Sequence, residues 1–299
     1  MNKFKIGYFA DGPWSHLAFE KLITDESIEI CFIVPRSDTA DETLLNYSKK
    51  YNIDYLCPVK VNSDDFFEKA SSYDCDLFVS MSFNQIFRDR IIKVPKLKTI
   101  NCHAGKLPFY RGRNILNWAL INDEKEFGIT IHYVDKGIDT GDIILQRCFP
   151  ITNKDTYKSL LEIAYIECAN ILYDAIKLMQ NNTFNVKKQS EIHPVGFYCG
   201  GRGIGDEIID WNQSSKDIYN FIRAVCEPGP RARSFINDNE IKINKSRLIY
   251  KAPIYKGTVG QILAKTIDGF LIKTEDTFIE ILEIESDVKL KVGDKLKSI

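Results

Sequence analysis

The chain has 299 residues, of which 44% are hydrophobic and 27% charged, a composition typical of a globular protein long enough for about two domains. Its 40 Lys and Arg against 41 Asp and Glu leave a net charge of -1, which provides no positive field to attract nucleic acid or an anionic membrane. The sequence contains neither an apolar run long enough to span a membrane nor the pattern of a signal peptide, so we expect a cytoplasmic protein without membrane contact.

The eight cysteines are scattered along the chain without a CxxC pair, and most lie within apolar runs. This distribution indicates small buried side chains in a reducing compartment, not a disulfide framework or a zinc site. We therefore expect no metal.

The first half alternates strand patterns with helix patterns. Phe4–Ala10, rich in aromatic and β-branched residues, predicts the first strand, and a loop at 11–13 precedes a helix at 14–22. This alternation predicts an α/β fold with a doubly wound, mostly parallel sheet. The further predicted strands are 28–34, 54–56, 76–81 and 99–103, and the further predicted helices are 41–51 and 63–70, the last capped by Ser63.

Polar side chains lie where two of these segments end. On a strand at 99–103, Asn101 and His103 point to one face and Cys102 to the other, and ligands of doubly wound sheets bind beyond the carboxyl ends of the strands. The Gly-rich turn 137–142 adds carboxylates between strands predicted at 129–134 and 143–149. Amide, imidazole and carboxylate groups together predict a site that transfers protons and stabilises an oxyanion. His132, within a strand pattern, is interpreted as a core or surface residue.

The second half predicts a smaller domain. An apolar stripe over 155–179 indicates a long helix that packs on the sheet, and Gly200–Gly205 is interpreted as a mobile connector in preference to a phosphate-binding loop. After a helix at 214–226, short alternating runs predict a compact β-barrel-like domain. The predicted domains are 1–195 and 206–299, with the connector at 196–205; the predicted strands of the second domain are 233–236, 240–243, 248–250, 259–266, 269–274 and 278–284.

Three ordered motifs, Asn101–His103, Leu107–Arg113 and Ile138–Asp142, resemble those of the folate-dependent formyltransferases. That family includes methionyl-tRNA formyltransferase, glycinamide ribonucleotide formyltransferase and the sugar-nucleotide N-formyltransferases. The similarity runs from Phe4 to about Met179, with a weaker match after Ile209. It implies a Rossmann-like formyltransferase domain, 10-formyltetrahydrofolate as the formyl donor, and a catalytic trio of Asn101, His103 and Asp139.

The resemblance also implies where the two substrates bind. Two loops are expected to hold the pterin of the folate, and they contribute Ser82, Phe83, Asn84, Gln85, Ile86, Val134, Asp135 and Ile138. The candidates for contact with the acceptor are Trp14, Ser15, His16, Lys106, Tyr110, Arg111 and Arg113. The two arginines are interpreted either as phosphate ligands or as anchors of their loop.

Departures from the tRNA enzymes favour a different acceptor. Val34–Glu42 is short and acidic where the tRNA enzymes have a basic insertion, Gly105-Lys106 replaces a Ser-Leu pair, and Ile115 replaces a proline. Residues 206–299 contain fifteen Lys and Arg against fifteen Asp and Glu, so they lack the basic surface that a polyanion needs. We therefore expect N-formylation of a dTDP- or UDP-linked amino deoxysugar for surface glycan synthesis. Methionyl-tRNA formyltransferase, a formate-releasing hydrolase and a non-enzymatic folate- or nucleotide-binding module are the alternatives, and a homodimer is left open.

Overall fold

The computed structural model describes residues 3–39 and 41–298, which form two compact units. Unit 1 contains the residues up to Gly112 together with 127–149 and 162–199. Unit 2 contains the residues from Gly200 onward together with 113–126 and 150–161. Two short segments that precede residue 162 thus belong to the same unit as the C-terminal residues.

A seven-stranded sheet forms the centre of unit 1, in the order β3-β2-β1-β4-β5-β7-β8. The pairs from β3 to β5 are parallel and β7 runs antiparallel to β5, which confirms the doubly wound, mostly parallel sheet. The strands of the first 200 residues are β1 (Phe4–Ala10), β2 (Ile28–Val34), β3 (Asp54–Tyr55), β4 (Leu77–Met81), β5 (Thr99–His103), β6 (Arg111–Gly112), β7 (Glu126–Tyr133), β8 (Ile143–Pro150) and β9 (Tyr198–Cys199). The helices of this region are α1 (Pro13–Ile23), α2 (Glu42–Tyr51), α3 (Asp64–Ser71), α4 (Asp89–Ile92), α5 (Ile115–Ile121), α6 (Tyr157–Gln180) and α7 (Gln189–Ile192).

Side-chain caps set the first residues of two helices. The Asp41 carboxylate accepts a hydrogen bond from the backbone N–H of Leu44 at 3.0 Å and begins α2. Ser63 accepts from the N–H of Phe66 at 3.4 Å and begins α3, as its position in the sequence predicts. None of the helices within the described residues is long and apolar enough to cross a membrane.

An aromatic cluster fills one face of the sheet in unit 1. The Phe9 ring on β1 lies 5.0 to 6.0 Å, centroid to centroid, from five other phenylalanine rings, which belong to Phe32, Phe66, Phe78, Phe83 and Phe87. Phe83 belongs to the loop after β4, so this core also fixes the position of that loop.

Unit 2 contains an antiparallel sheet in the order β10-β11-β14-β13-β12. Its two outer strands are joined by the C-terminal segment: Lys297 exchanges backbone hydrogen bonds with Phe235 on one side, and Leu296 donates to Gly260 on the other. This closure confirms the predicted β-barrel-like domain. The remaining elements are α8 (Ser215–Val225), β10 (Ala232–Ile236), β11 (Asn239–Leu248), β12 (Ile262–Lys265), β13 (Gly269–Lys273) and β14 (Phe278–Ser286).

One prediction for this half was wrong. The strands predicted at 240–243 and 248–250 are one strand, β11, because its polar end is paired with β14 by salt bridges such as Arg247 to Glu280 at 2.6 Å. Two side-chain contacts hold part of the Gly200–Gly205 segment, whose prediction as a mobile connector stays a prediction. The Trp118 indole N–H donates to the Gly200 carbonyl at 2.9 Å, and the Arg202 guanidinium lies 5.4 Å from the centre of the Trp118 ring.

Truncation of Phe9 tests the aromatic cluster. We expect Phe9→Ala to lower the free energy of unfolding by about 3–5 kcal/mol, because five neighbouring rings lose a partner and a cavity remains. Phe9→Leu, which fills most of that volume, should cost clearly less. Urea denaturation followed by circular dichroism measures both values, and equal losses for the two variants would contradict this account of the packing.

Candidate active site

The two polar residues of β5 lie beside the end of β7. Strand alternation directs Asn101 and His103 to one face, whereas the Cys102 sulfur lies on the other, 3.9 Å from the carbonyl oxygen of Cys168 in α6. β5 pairs with β7 in a register that sets Asn101 opposite His132. The amide and both imidazoles are therefore held by the backbone of a central strand pair.

The turn between β7 and β8 brings Asp139 to these residues. Asp139 has a φ of 54°, a left-handed conformation that few non-glycine residues adopt. Gly141 allows the turn to close, because a Cβ atom there would lie 1.8 Å from the Tyr133 carbonyl oxygen. Asp135 supports the turn from within by accepting from the Thr140 hydroxyl at 2.5 Å.

The Asp139 carboxylate joins the site. Its Oδ2 accepts the backbone N–H of Gly112 at 2.9 Å and lies 3.5 Å from Nδ1 of His103. Its Oδ1 lies 3.5 Å from the Asn101 amide nitrogen and 3.4 Å from Nε2 of His132. The structure thus brings together the three residues that the sequence motifs single out.

Burial and neighbouring charges set the pKa values of Asp139 and His103. Burial opposes ionisation of Asp139, but His103, His132 and the Gly112 N–H outweigh it and hold the pKa of the carboxyl well below its usual range. Burial lowers the pKa of His103, and Asp139 and the Tyr110 carbonyl offset this only in part. The carboxyl of Asp139 is therefore ionised near neutral pH, and burial makes His103 harder to protonate than an ordinary histidine. Asp139 favours the charged form of His103, but burial is the larger effect on the pKa of this imidazole.

His132 is a buried residue of β7, as one of its two interpretations from the sequence predicted, but it also contacts the site residues Asn101 and Asp139. Its Nδ1 lies 2.8 Å from the Tyr133 carbonyl oxygen, so Nδ1 carries a hydrogen and donates it, and its Nε2 faces the Asp139 carboxylate and the Asn101 amide. The Asn101 amide nitrogen lies 3.3 Å from that Nε2. His132 thereby orients the amide of Asn101.

Gln189 is a site residue that no sequence motif indicated. Its side chain is buried, and its Nε2 donates to the backbone carbonyls of Asp139 and Gly141, both at 2.8 Å. Its Oε1 accepts from Arg111 at 2.6 and 3.1 Å. Of the two interpretations of Arg111, the structure supports a loop anchor. Gln189 lies in a polar segment about 50 residues after the Asp139 turn, and only the tertiary structure brings the two together.

Trp14, Ser15 and His16, which follow β1, were expected to contact the acceptor, but their side chains contact other parts of the protein. Ser15 is fully buried and its hydroxyl donates to the Gly12 carbonyl at 2.9 Å, so its assignment as an acceptor contact was wrong. His16 lies 2.9 Å from the Asp41 carboxylate, and the Trp14 ring packs edge-on against Tyr165. Among the other candidates, Arg113 is exposed.

The loop after β4 has the features of a ligand-binding loop. Ser82 opens it with a φ of 56°, and Ile86 at its far end is 67% exposed. Oδ1 of Asn84 and Nε2 of Gln85 are buried, and neither has a hydrogen-bond partner in the described part of the chain. Buried unpaired amide atoms are rare, so these two fit a ligand that carries its own donors and acceptors, as a pterin ring does.

The second loop expected to hold the pterin follows β7. Val134 donates its backbone N–H to Thr99 of β5 at 2.8 Å, and Ile138 is 55% exposed. Within residues 3–39 and 41–298, no group of three or more His, Cys, Asp or Glu side chains is arranged to hold a metal ion.

The fold and these contacts define an enzyme site for acyl transfer, with an amide, an imidazole and a buried carboxylate at the carboxyl ends of the strands. Residues 19–175 match the family model described as formyl transferase, and residues 205–295 match the model of the formyl transferase C-terminal domain. The chain belongs to the formyl transferase family. The resemblance to the folate-dependent formyltransferases is thereby confirmed.

Three known proteins illustrate the similarity. The bifunctional polymyxin resistance protein ArnA of Wigglesworthia glossinidia brevipalpis is 35% identical over 238 residues, which are 80% of this chain but only 35% of that protein. Methionyl-tRNA formyltransferase of Clostridioides difficile strain 630 is 30% identical over 92% of this chain and 91% of its own length. The crystal structure of WlaRD, a sugar 3N-formyl transferase solved in the presence of dTDP and 5-N-formyl-THF, aligns over 95% of this chain and 99% of its own, with 25% identity and a TM-score of 0.67.

Substitution of Asp139 tests the electrostatics of the pair. We expect Asp139→Asn to lower the pKa of His103 further, because the negative charge that raises this pKa is lost while burial remains. In the unfolded wild-type chain His103 has an ordinary histidine pKa of about 6.5. In the folded protein His103 binds a proton only at lower pH. The contribution of His103 to the free energy of unfolding therefore falls as the pH drops below the pKa of the unfolded chain. This contribution should fall more steeply in Asp139→Asn.

Titration of the His103 ring by NMR measures this shift. Asp142→Asn, in the same turn, is the control and should leave the His103 pKa unchanged. A rise in the His103 pKa in Asp139→Asn would contradict the proposed balance of burial and charge.

Proposed function

We propose that this formyltransferase transfers the formyl group of 10-formyltetrahydrofolate to the amine of a dTDP- or UDP-linked amino deoxysugar used for surface glycan synthesis. The observation that carries the choice of acceptor is a pair of exposed aromatic side chains, Phe197 and Tyr198, at a strand whose partner strand donates a backbone hydrogen bond to Asp139. The WlaRD similarity over nearly the whole of both chains supports the same choice.

The three polar residues divide the chemistry between them. 10-Formyltetrahydrofolate, when bound, supplies the formyl carbon. The Asn101 amide and the Nε2–H of His103 donate hydrogen bonds to the formyl oxygen as it gains negative charge during attack by the amine. Asp139 and Nδ1 of His103, 3.5 Å apart, accept the proton that the amine loses. His103 then returns a proton to the departing nitrogen, so that protons balance over the reaction.

Amide groups and exposed apolar side chains would hold the folate. Asn84 and Gln85 offer the buried polar atoms that lack partners in the described part of the chain, and Ile86 and Ile138 offer exposed apolar surface for the ring. The remaining proposed contacts are Ser82, Phe83, Val134 and Asp135.

This pair of aromatic side chains lies at a two-stranded sheet of β6 and β9. Arg111 pairs with Tyr198 and Gly112 with Cys199, and the N–H of Gly112 donates to Asp139. Adjacent strands lie about 4.8 Å apart, and adjacent Cα atoms are about 3.8 Å apart. One strand spacing, one residue and one hydrogen bond therefore separate the Tyr198 backbone from the carboxylate, a path that the sugar and phosphates of a nucleotide sugar can follow.

The side chains on this sheet suit a nucleotide. Phe197 is 42% exposed and Tyr198 is 55% exposed, although both are large aromatic residues. The Arg111 guanidinium lies 5.5 Å from the centre of the Tyr198 ring. An exposed aromatic face of this kind can stack on a nucleotide base.

The alternative acceptor is initiator methionyl-tRNA, which the similarity to the C. difficile enzyme favours. The charge balance of residues 206–299, fifteen against fifteen, opposes it because binding to tRNA depends on phosphate neutralisation.

A mass-spectrometric assay distinguishes the two acceptors. Purified protein with 10-formyltetrahydrofolate should add a formyl mass to at least one member of a panel of dTDP- and UDP-linked amino sugars, and Asn101→Ala should slow the reaction by about 100-fold or more. Charged initiator tRNA is the competing substrate. Efficient formylation of the tRNA with an untouched sugar panel would overturn the proposed acceptor, and formate release without any acceptor would indicate a hydrolase.

Tyr198 provides a test of the nucleotide subsite. We expect Tyr198→Ala to raise KM for the nucleotide sugar about 10-fold, because stacking on one base contributes about 1–3 kcal/mol, while KM for the folate stays unchanged. Tyr198→Phe keeps the ring and is the matched control. Steady-state kinetics with each substrate varied in turn gives both constants, and an equal effect of the two substitutions would argue against stacking.

A further inference from the structure

The side-chain amide of Gln189 uses its full hydrogen-bonding capacity. Its Nε2 donates to the backbone carbonyls of Asp139 and Gly141, both at 2.8 Å, and its Oε1 accepts from the Arg111 guanidinium at 2.6 and 3.1 Å. The residue is 4% exposed. A reversed amide would direct its oxygen at two carbonyls and its nitrogen at a guanidinium, so these partners fix the orientation of the amide.

We propose that Gln189 is a positioning residue for the Asp139 carboxylate, because its two N–H groups hold the main chain of the turn that directs this carboxylate at His103. One of the carbonyls that Gln189 holds belongs to Asp139 itself, so a rotation of this backbone would move the carboxylate as well. Asp139 has a φ of 54°, a conformation that surrounding contacts must maintain. Its Oδ2 lies 3.5 Å from Nδ1 of His103, already longer than an ordinary hydrogen bond, so a small displacement of the turn would break the contact.

The backbone next to Gln189 is fixed at the end of the same turn. Lys187 and Ile143 exchange backbone hydrogen bonds at 2.8 and 2.9 Å, and Ile143 is the first residue of β8. The Gln189 carbonyl accepts from the N–H of His193 at 3.1 Å, which closes the short helix α7. The amide therefore approaches the turn from a main chain that is itself held where the turn ends.

The other contacts of the turn act on different atoms. Asp135 accepts from the Thr140 hydroxyl at 2.5 Å, and the N–H of Gly112 donates to the Asp139 carboxylate itself at 2.9 Å. Neither of these two contacts involves the Asp139 carbonyl, which Gln189 holds. Gln189 thus supplies a support that the turn does not obtain from its own side chains.

The two halves of the amide can be separated by experiment. The N–H groups act on the Asp139 turn, whereas the oxygen acts on Arg111. The proposal assigns the effect on the reaction rate to the N–H groups. It rests on formyl transfer through Asp139 and His103 and does not depend on which amine accepts the formyl group.

Gln189→Met and Gln189→Glu test this assignment. Methionine removes both halves of the amide, whereas glutamate keeps an oxygen for Arg111 and loses the two donors. We expect both variants to lower kcat by about 100-fold, the effect of a reacting group misplaced by about 1 Å, and to change KM for the folate much less. Gln180→Met is the matched control, because the Gln180 amide also donates to a backbone carbonyl, that of Ser27 at 3.2 Å. It should keep the wild-type kcat.

NMR titration of the histidine rings gives a readout that general loss of packing would move in the opposite direction. In Gln189→Met the His103 pKa should fall, because the Asp139 charge that raises this pKa moves away while the ring stays buried. Exposure of the ring would instead raise the pKa towards that of an ordinary histidine. Gln180→Met should titrate as the wild type does. This measurement needs no acceptor, so it remains valid if every amino sugar in the panel proves inactive.

Three results would overturn the proposal. One is a folded Gln189→Met variant, judged by circular dichroism, with unchanged kcat and unchanged His103 titration. Another is a wild-type kcat in Gln189→Glu together with a reduced kcat in Gln189→Met, which would assign the role to the contact with Arg111. The third is rapid hydrogen exchange of the Gln189 side-chain N–H groups in the wild-type protein, which is decisive even where no variant folds.

Discussion

The buried carboxylate of Asp139 is the contact on which the site depends. A buried charge is stable only when hydrogen bonds and opposite dipoles surround it, and removal of its partners is costly. Asp139 obtains these partners from three separate segments, through Gly112 of β6, His103 of β5 and His132 of β7. The need to satisfy one charge therefore holds together segments that are far apart along the chain.

The backbone carries as much of this arrangement as the side chains do. Ser82, Tyr110 and Asp139 all have positive φ values, and a conformation of this kind costs on the order of 1–3 kcal/mol. Buried side chains of the scaffold maintain two of them: Gln189 holds the carbonyls of the Asp139 turn, and Thr130 holds the loop that leads to Tyr110. Gln189 and Thr130 therefore support the active site through hydrogen bonds to backbone carbonyls, not through contacts with the Asp139 carboxylate.

The sequence predicts the features that follow from local pattern. β1, β2 and β5 have the predicted bounds, because buried parallel strands appear as short continuous apolar runs, and strand parity alone sets Asn101 and His103 on one face. His132 and Gln189 escaped prediction because their roles depend on strand register and on a contact 50 residues away in sequence. The Tyr110 carbonyl could not be predicted from any side chain, since a main-chain oxygen performs its role.

The β6–β9 pair connects the proposed acceptor subsite to the catalytic carboxylate through backbone hydrogen bonds. Gly112 pairs with Cys199 and donates its N–H to Asp139, and the neighbouring pair joins Arg111 to Tyr198. Gln189 links the same arginine to the Asp139 carbonyl from the other side. A ligand that moves this two-stranded sheet must therefore also move a hydrogen bond to Asp139, and with it the pKa of the carboxylate that pairs with His103. Acceptor identity can affect proton transfer in this way even when the acceptor base itself does not touch a catalytic residue.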